Sequence, residues 1–408
     1  MKQARVVLGL SVLALVAIGF VVLSSAGGPV GLRTPPSFDQ YHFVKQQAKW
    51  LALSLPLFLG AMFFDYRNWR KYPWLTVAFY AVVVVALCAV FGFRPVNGSR
   101  RWLMLGAIRI QPSEFAKIAV VVAMSVFLDK TGWRIELFWK GALKALAIVA
   151  LPMGLAVAEP DFGSTMVLAL TGGVLMVIAG MRLRHIGIVI GSGLLGIGPL
   201  LLSNANRMRR ISAWLPDWMT QQLSVWCPWL GDLSVSTEDA ADANYQLDQA
   251  LIAIRNGGET GVGFGNSMQK QMYLPENHTD FIFAIGAEEW GIGFSLLLLV
   301  LFVTVFVCGV IISVQSCDRL GRFMAFGVSF LIFFQAMFNM GVVTGLLPTK
   351  GLALPFISYG GTNLMSAFIS IGILINVSRQ SDLQRRREKS KISAVFHNKG
   401  GRENVSHL

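Results

Sequence analysis

Ten stretches of roughly twenty residues, nearly free of charge, run through this 408-residue chain, near 6–26, 44–64, 73–93, 110–128, 139–158, 162–181, 186–204, 281–313, 323–344 and 354–377. A helix of about 20 apolar residues crosses the hydrocarbon core of a bilayer, because it satisfies its own backbone polar groups where no water is present. The pattern predicts an all-α integral membrane protein, a bundle of about ten transmembrane helices. Composition agrees: 54% of residues are hydrophobic and 14% charged, against roughly a quarter charged in soluble domains. A soluble enzyme, a disordered chain, a coiled coil and a secreted disulfide scaffold are all excluded. The four cysteines show no CxxC and no Cys/His metal spacing. The first run sits where a signal peptide would, but it is longer than an h-region and nine more follow, so it reads as a membrane helix.

The net charge of +13 is laid out in a pattern. Lysines and arginines gather at Lys2 and Arg5, at Arg67, Arg70 and Lys71, between Lys130 and Lys144, at Arg182 and Arg184, at Arg319 and Arg322, and in the tail from Arg379. The positive-inside bias then places both termini in the cytoplasm. Residues 1–378 form the polytopic domain and 379–408 a basic cytoplasmic tail, which reads as a contact for anionic membrane lipids. Nucleic acid is excluded as a partner. The opposite side carries a large extracytoplasmic loop, about 205–280, between spans 7 and 8. Within it, Leu247, Ala250, Leu251 and Ile254 share one stripe, the pattern of a helix lying on the membrane surface.

Polar residues crowd the outer face. Asn97-Gly-Ser-Arg-Arg-Trp102, Glu159-Pro-Asp-Phe-Gly-Ser-Thr165, Gly257 to Asp280, and Leu346-Leu-Pro-Thr-Lys-Gly351 each end a predicted span there. Irregular backbone and charge at one membrane level suggest a single cavity opening outward. Asp280 opens the eighth span, where a carboxylate either caps the helix or performs chemistry. Glu114 and Lys117 are spaced to pair on span 4 or to meet a substrate. Glu288 and Glu289 follow Asp280 down span 8, where at least one reads as a helix-to-helix lock. Arg101 and Lys350 either snorkel to the interface or bind an anion. Gly261, Gly263 and Gly265 lack the strand and lysine of a phosphate loop, and five scattered histidines make no metal site.

Longer motifs add a resemblance. Gly261-Val-Gly-Phe-Gly-Asn-Ser-Met-Gln-Lys270, Tyr273-Leu-Pro-Glu-Asn-His-Thr-Asp-Phe-Ile-Phe283, Gln111-Pro-Ser-Glu-Phe-Ala-Lys117, Gly345-Leu-Leu-Pro-Thr-Lys-Gly351 and Leu354-Pro-Phe-Ile-Ser-Tyr-Gly-Gly361 occur in the order seen in the SEDS family of membrane glycosyltransferases (FtsW, RodA and SpoVE). The chain resembles that family over nearly its whole length, and the Pro-Thr-Lys-Gly run is more similar to the division branch, FtsW, than to the elongation branch, RodA. Glu159-Pro-Asp161 stands where many members have Gln-Pro-Asp, and the segment Trp214 to Ala243 is longer than expected.

The resemblance implies polymerisation of lipid II into glycan strands at the outer face of the cytoplasmic membrane. It implies Asp280 as the catalytic residue and Arg101, Lys350, Glu114, Lys117, Asp161, His278 and Glu288 as residues meeting substrate. It also implies help from a divalent cation (Mg2+ or Mn2+), a class B penicillin-binding protein as transpeptidase partner, other divisome proteins, and a place at the division septum. A transporter or lipid flippase, with Glu114, Lys117, Glu288 and Glu289 as coupling groups, is the competing class, and a noncatalytic division scaffold a third. The crowding of motifs at one face favours the enzyme over the flippase, whose path would need polar residues at both.

Overall fold

The structure is a computed structural model that describes residues 1–35, 38–93, 100–106, 108–182, 184–185, 187, 238–348 and 351–403. Helices stand at nine of the ten predicted spans: α1 Lys2–Ala26, α2 His42–Phe63, α3 Pro73–Ala89, α4 Pro112–Thr131, α5 Leu143–Ala158, α6 Phe162–Ile178, then, after a further helix α7 Glu238–Gly257, α8 Ile282–Val314, α9 Arg319–Val343 and α10 Gly361–Glu403. Among the described residues, six helices are long and apolar enough by themselves to cross a membrane. The seventh predicted span, 186–204, falls almost wholly outside the described residues, as does most of the loop up to residue 237.

Burial explains the arrangement. In α4 nearly every side chain from Pro112 to Leu128 is buried, and it packs against α3, α5, α6, α9 and α10. A helix covered all round is a core helix. The outer faces of α1, α3 and α8 expose Leu10, Leu13, Val77, Val82, Val85, Leu296, Val300 and Val307, a surface that suits lipid rather than water. α10 packs along α2 and continues unbroken past residue 379 into the tail.

One predicted span differs in kind. The run 281–313 is far longer than a crossing requires, and the structure breaks α8 at Gly291 (φ 68°, ψ −158°). Residues 292–314 by themselves reach about 34 Å, enough for the hydrocarbon core. The preceding turns, Ile282–Trp290, form a separate short helix. The glycine-rich segment after α7 fills the break. Val262 and Gly263 donate their N–H groups to the carbonyls of Glu288 and Glu289 (both 3.0 Å), and Ile292 N–H donates to Gly258 (3.0 Å). Backbone groups freed by the break are thus paired, as burial demands. The glycines are steric: a Cβ on Gly261 would lie 2.2 Å from the Glu289 carbonyl oxygen.

α7 forms where the stripe predicts, packed on α8. Its covered face is rotated slightly from the expected one. Ala250 and Ala253 are fully buried, whereas Leu251 is exposed, because the close approach to α8 admits small side chains.

Candidate active site

Four corners meet at one end of the bundle. At the first, two short strands, β1 Leu103–Leu105 and β2 Ile108–Ile110, pair antiparallel. Arg101, just before β1, donates from Nη2 to the carbonyl of Pro160 (2.9 Å). At the second, the turn between α5 and α6, Asp161 caps α6 by accepting from Ser164 N–H (3.2 Å). Its other oxygen accepts from Ser113 Oγ (3.0 Å) and Gln111 Nε2 (3.2 Å). Gly163 then packs on the third corner: a Cβ there would lie 2.5 Å from Leu352 Cδ1 and 3.3 Å from the Gly351 carbonyl. Gly351 in turn lies against the fourth, since a Cβ on it would sit 2.2 Å from Oδ2 of Asp280. The ends of the four polar segments singled out from sequence, at Arg101, Asp161, Asp280 and Gly351, lie together here.

Asp280 does not cap α8. The cap residue is Phe281, and no side chain closes the helix end. The backbone around Asp280 is nonetheless pinned at three successive carbonyls. His278 O accepts from Tyr359 N–H (3.0 Å), Thr279 O from Ser358 Oγ (2.6 Å), and Asp280 O from Asn339 Nδ2 (2.8 Å). The Asn339 amide also donates to Leu352 O (2.6 Å), so one buried side chain spaces Asp280 from the 351–360 loop. Among the described residues the Asp280 carboxylate itself accepts no hydrogen bond. Burial pushes its pKa up to about 7, with Glu276 and Asp161 adding and Arg101 opposing. That range suits a group that exchanges a proton near neutrality.

His278 stacks between Phe43 (4.2 Å between ring centroids) and Tyr359 (5.9 Å), and burial lowers its pKa, favouring the neutral ring. It holds the Asp280 segment to α2. Glu114 and Lys117 form a buried ion pair (2.8 Å). Lys117 also donates to Gln335 Oε1 (2.7 Å), and Glu114 accepts from Ser366 Oγ (3.0 Å), which locks α4 to α9 and α10. Glu288 accepts from Ser267 Oγ and from the N–H groups of Met268 and Gln269 (both 3.3 Å), and Glu289 pairs with Lys270 (3.0 Å) and with Ser25 of α1. Arg101, Asp161, His278 and Asp280 are therefore gathered at the site. Glu114, Lys117 and Glu288 are engaged with their own chain. Lys350 lies outside the described residues.

Sequence reasoning missed Asn339, Ser358 and Tyr359. An asparagine inside the mostly apolar run 323–344 was the available signal for the first. The other two act through backbone contacts that only the tertiary fold defines. The described residues contain no group of three or more His, Cys, Asp or Glu side chains arranged for a metal ion, and the oxygens of Asp161 are already occupied. Among the described residues no dedicated protein cage for a cation is built.

The sequence profile described as "Cell cycle protein", FtsW/RodA/SpoVE, matches residues 5–383. The chain belongs to this family. It is 35% identical over 380 residues to the "Probable peptidoglycan glycosyltransferase FtsW" of Geobacter sulfurreducens, covering 92% of this chain and 95% of the relative. It is 36% identical over 345 residues to "Stage V sporulation protein E" of Bacillus subtilis, 84% and 88% of the two chains. Its fold matches a chain from the structure described as "Structural coordination of polymerization and crosslinking by a peptidoglycan synthase complex", with a TM-score of 0.69, 25% identity and coverage of 92% and 97%. The Thermus thermophilus rod shape determining protein RodA has the same fold (TM-score 0.62, 24% identity, coverage of 92% and 96%). Of the motifs singled out from sequence, those carrying Gly351 and Ser358-Tyr359 contact the Asp280 segment.

Proposed function

We propose that this protein is a peptidoglycan glycosyltransferase of the FtsW type, which polymerises lipid II at the outer face of the cytoplasmic membrane. The observation that carries the reading is the Asp280 carboxylate, which is held by its backbone, accepts no hydrogen bond among the described residues, lies against Gly351 and has Arg101 as the cation acting on it. The relatives' printed names and the family profile support it.

The chemistry follows from the donor. Its anomeric carbon is joined to a lipid pyrophosphate, and the acceptor is the 4-hydroxyl of a GlcNAc on a second lipid-linked sugar. Asp280 takes the hydroxyl proton as the oxygen attacks the anomeric carbon. The bond from that carbon to the pyrophosphate oxygen breaks, and polyprenyl pyrophosphate departs. Pyrophosphate is a weak base, so the second acid of a glycosidase is not needed. Positive charge is needed, for the charge growing on the phosphates. Arg101 supplies it, joined in this reading by Lys350. An apolar groove of about 680 Å3 lined by Pro56, Phe64, Phe79, Phe115, Met365 and Ile369 suits polyprenyl chains.

In the cell this reading places both termini in the cytoplasm, the enzyme at the septum among other divisome proteins, and a class B penicillin-binding protein beside it. The test is direct: purified protein incubated with lipid II should yield glycan strands without any other polymerase. Absence of polymer from well-folded protein, both alone and with its transpeptidase, overturns the reading.

A further inference from the structure

Leu352, Ala353 and Leu354 follow directly on Gly351, and a side chain ties each of them. Asn339 Nδ2 donates to Leu352 O (2.6 Å), Gln335 Nε2 to Ala353 O (3.0 Å), and Leu354 N–H donates to Ser358 Oγ (2.8 Å). Gln335 and Asn339 stand four residues apart on α9, hence on one face, and both are buried. Each amide also donates to a neighbouring element: Asn339 to Asp280 O (2.8 Å), and Gln335 to Asn363 Oδ1 of α10 (2.9 Å). The Gln335 oxygen accepts from Lys117 Nζ (2.7 Å). Lys117 is held in turn by Glu114 (2.8 Å), which accepts from Ser366 Oγ (3.0 Å). An ammonium only donates, so Lys117 fixes which end of the Gln335 amide turns its N–H groups toward Ala353.

We propose that Gln335 and Asn339 are positioning residues for the reaction: together they set where the chain leaving Gly351 lies against the Asp280 carboxylate, and the buried Glu114–Lys117 pair acts through Gln335 rather than by touching substrate. This rests on the reading of Asp280 as the base. The geometry gives the consequence. A buried carbonyl needs its donor, so loss of the Gln335 N–H releases Ala353, two residues from Gly351. A Cβ on Gly351 would already meet Oδ2 of Asp280, so any movement of this chain changes the space around the carboxylate. Misplacing a reacting group by about 1 Å costs on the order of a hundredfold in rate. Loss of a substrate contact that is equal in ground and transition states would instead raise KM and leave kcat unchanged.

The test is steady-state polymerisation of lipid II by the purified full-length protein. Gln335→Met keeps the side chain's length and removes its N–H groups. It should fold, keep the wild-type KM for lipid II, and lower kcat by about tenfold to a hundredfold. Combined with Gly351→Ala, which disturbs the same contact, the two losses should not multiply. Glu114→Gln together with Lys117→Met forms a second arm, because it removes both charges and strands neither in the core. That variant should lower kcat at unchanged KM, and it should add no further loss to Gln335→Met. A raised KM at wild-type kcat in this charge-free pair would assign Glu114 and Lys117 to the substrate and overturn the proposal. So would a wild-type kcat in folded Gln335→Met, or losses that multiply with Gly351→Ala. Wild-type protein that forms no polymer would instead strike at the polymerase reading itself.

Discussion

A single methyl group tests how the carboxylate is held. The space a Cβ on Gly351 would need is taken by Oδ2 of Asp280, so Gly351→Ala must push either the loop or the carboxylate away. Misplacing a reacting group by about 1 Å costs on the order of a hundredfold in rate. Gly351→Ala should therefore express and fold like wild type and polymerise lipid II about a hundredfold more slowly, read as kcat rather than KM. A wild-type rate would mean that this contact does not set the geometry. Asp280, Arg101 and Asp161 were legible as candidates because charge beside a membrane-end motif is costly and rarely idle. Asn339 and the carbonyls it holds were not, because their roles depend on which backbone atoms arrive from 59 and 13 residues away.

At the scale of elements, hydrophobic runs placed nine helices because length and apolarity alone decide what a bilayer accepts. They did not show that α8 is two helices. Gly291 lies in the run Glu289-Trp-Gly-Ile-Gly293, which reads as continuous span, and only the excess length of 281–313 hinted at the break. Gly291→Ala would force a side chain into a φ/ψ region that costs about 1–3 kcal/mol, with its Cβ 2.5 Å from the Glu259 carbonyl oxygen. The variant should be destabilised by at least that amount in thermal unfolding. Stability equal to wild type would show that α8 can run straight. The Lys270–Glu289 pair latches the same break to α1. Lys270→Met strands a buried carboxylate and should cost about 3–5 kcal/mol. Adding Glu289→Gln should recover much of that loss in the same unfolding assay. A double variant no more stable than the single one would refute pairing as the reason both charges are there.

The whole molecule is a membrane bundle with two chemically different ends. At one, Arg67 and Arg70 gather on Asp318 (3.6 and 3.9 Å), Arg70 also meets Asp129 (3.2 Å), and Tyr66 donates to Asp318 (2.7 Å). These groups belong to the connections read as cytoplasmic. At the other end stand the glycine-rich turns and Asp280. The lysine and arginine bias predicts the orientation, and cysteines report it. Cys317, in the α8–α9 connection, should resist an impermeant thiol reagent applied to intact cells, whereas Cys227, which lies outside the described residues, should react. Labelling of Cys317 with Cys227 protected would reverse the topology.

Asp280→Asn is the most direct measurement. The amide preserves size and leaves the three pinned carbonyls in place, while removing the group that takes the proton in the proposed mechanism. Purified Asp280→Asn protein should insert, fold and bind lipid II as wild type does, and should form no glycan polymer at any pH between 6 and 9. Polymer at the wild-type rate from that variant would contradict the account, because the hydroxyl proton would then be taken by something other than Asp280.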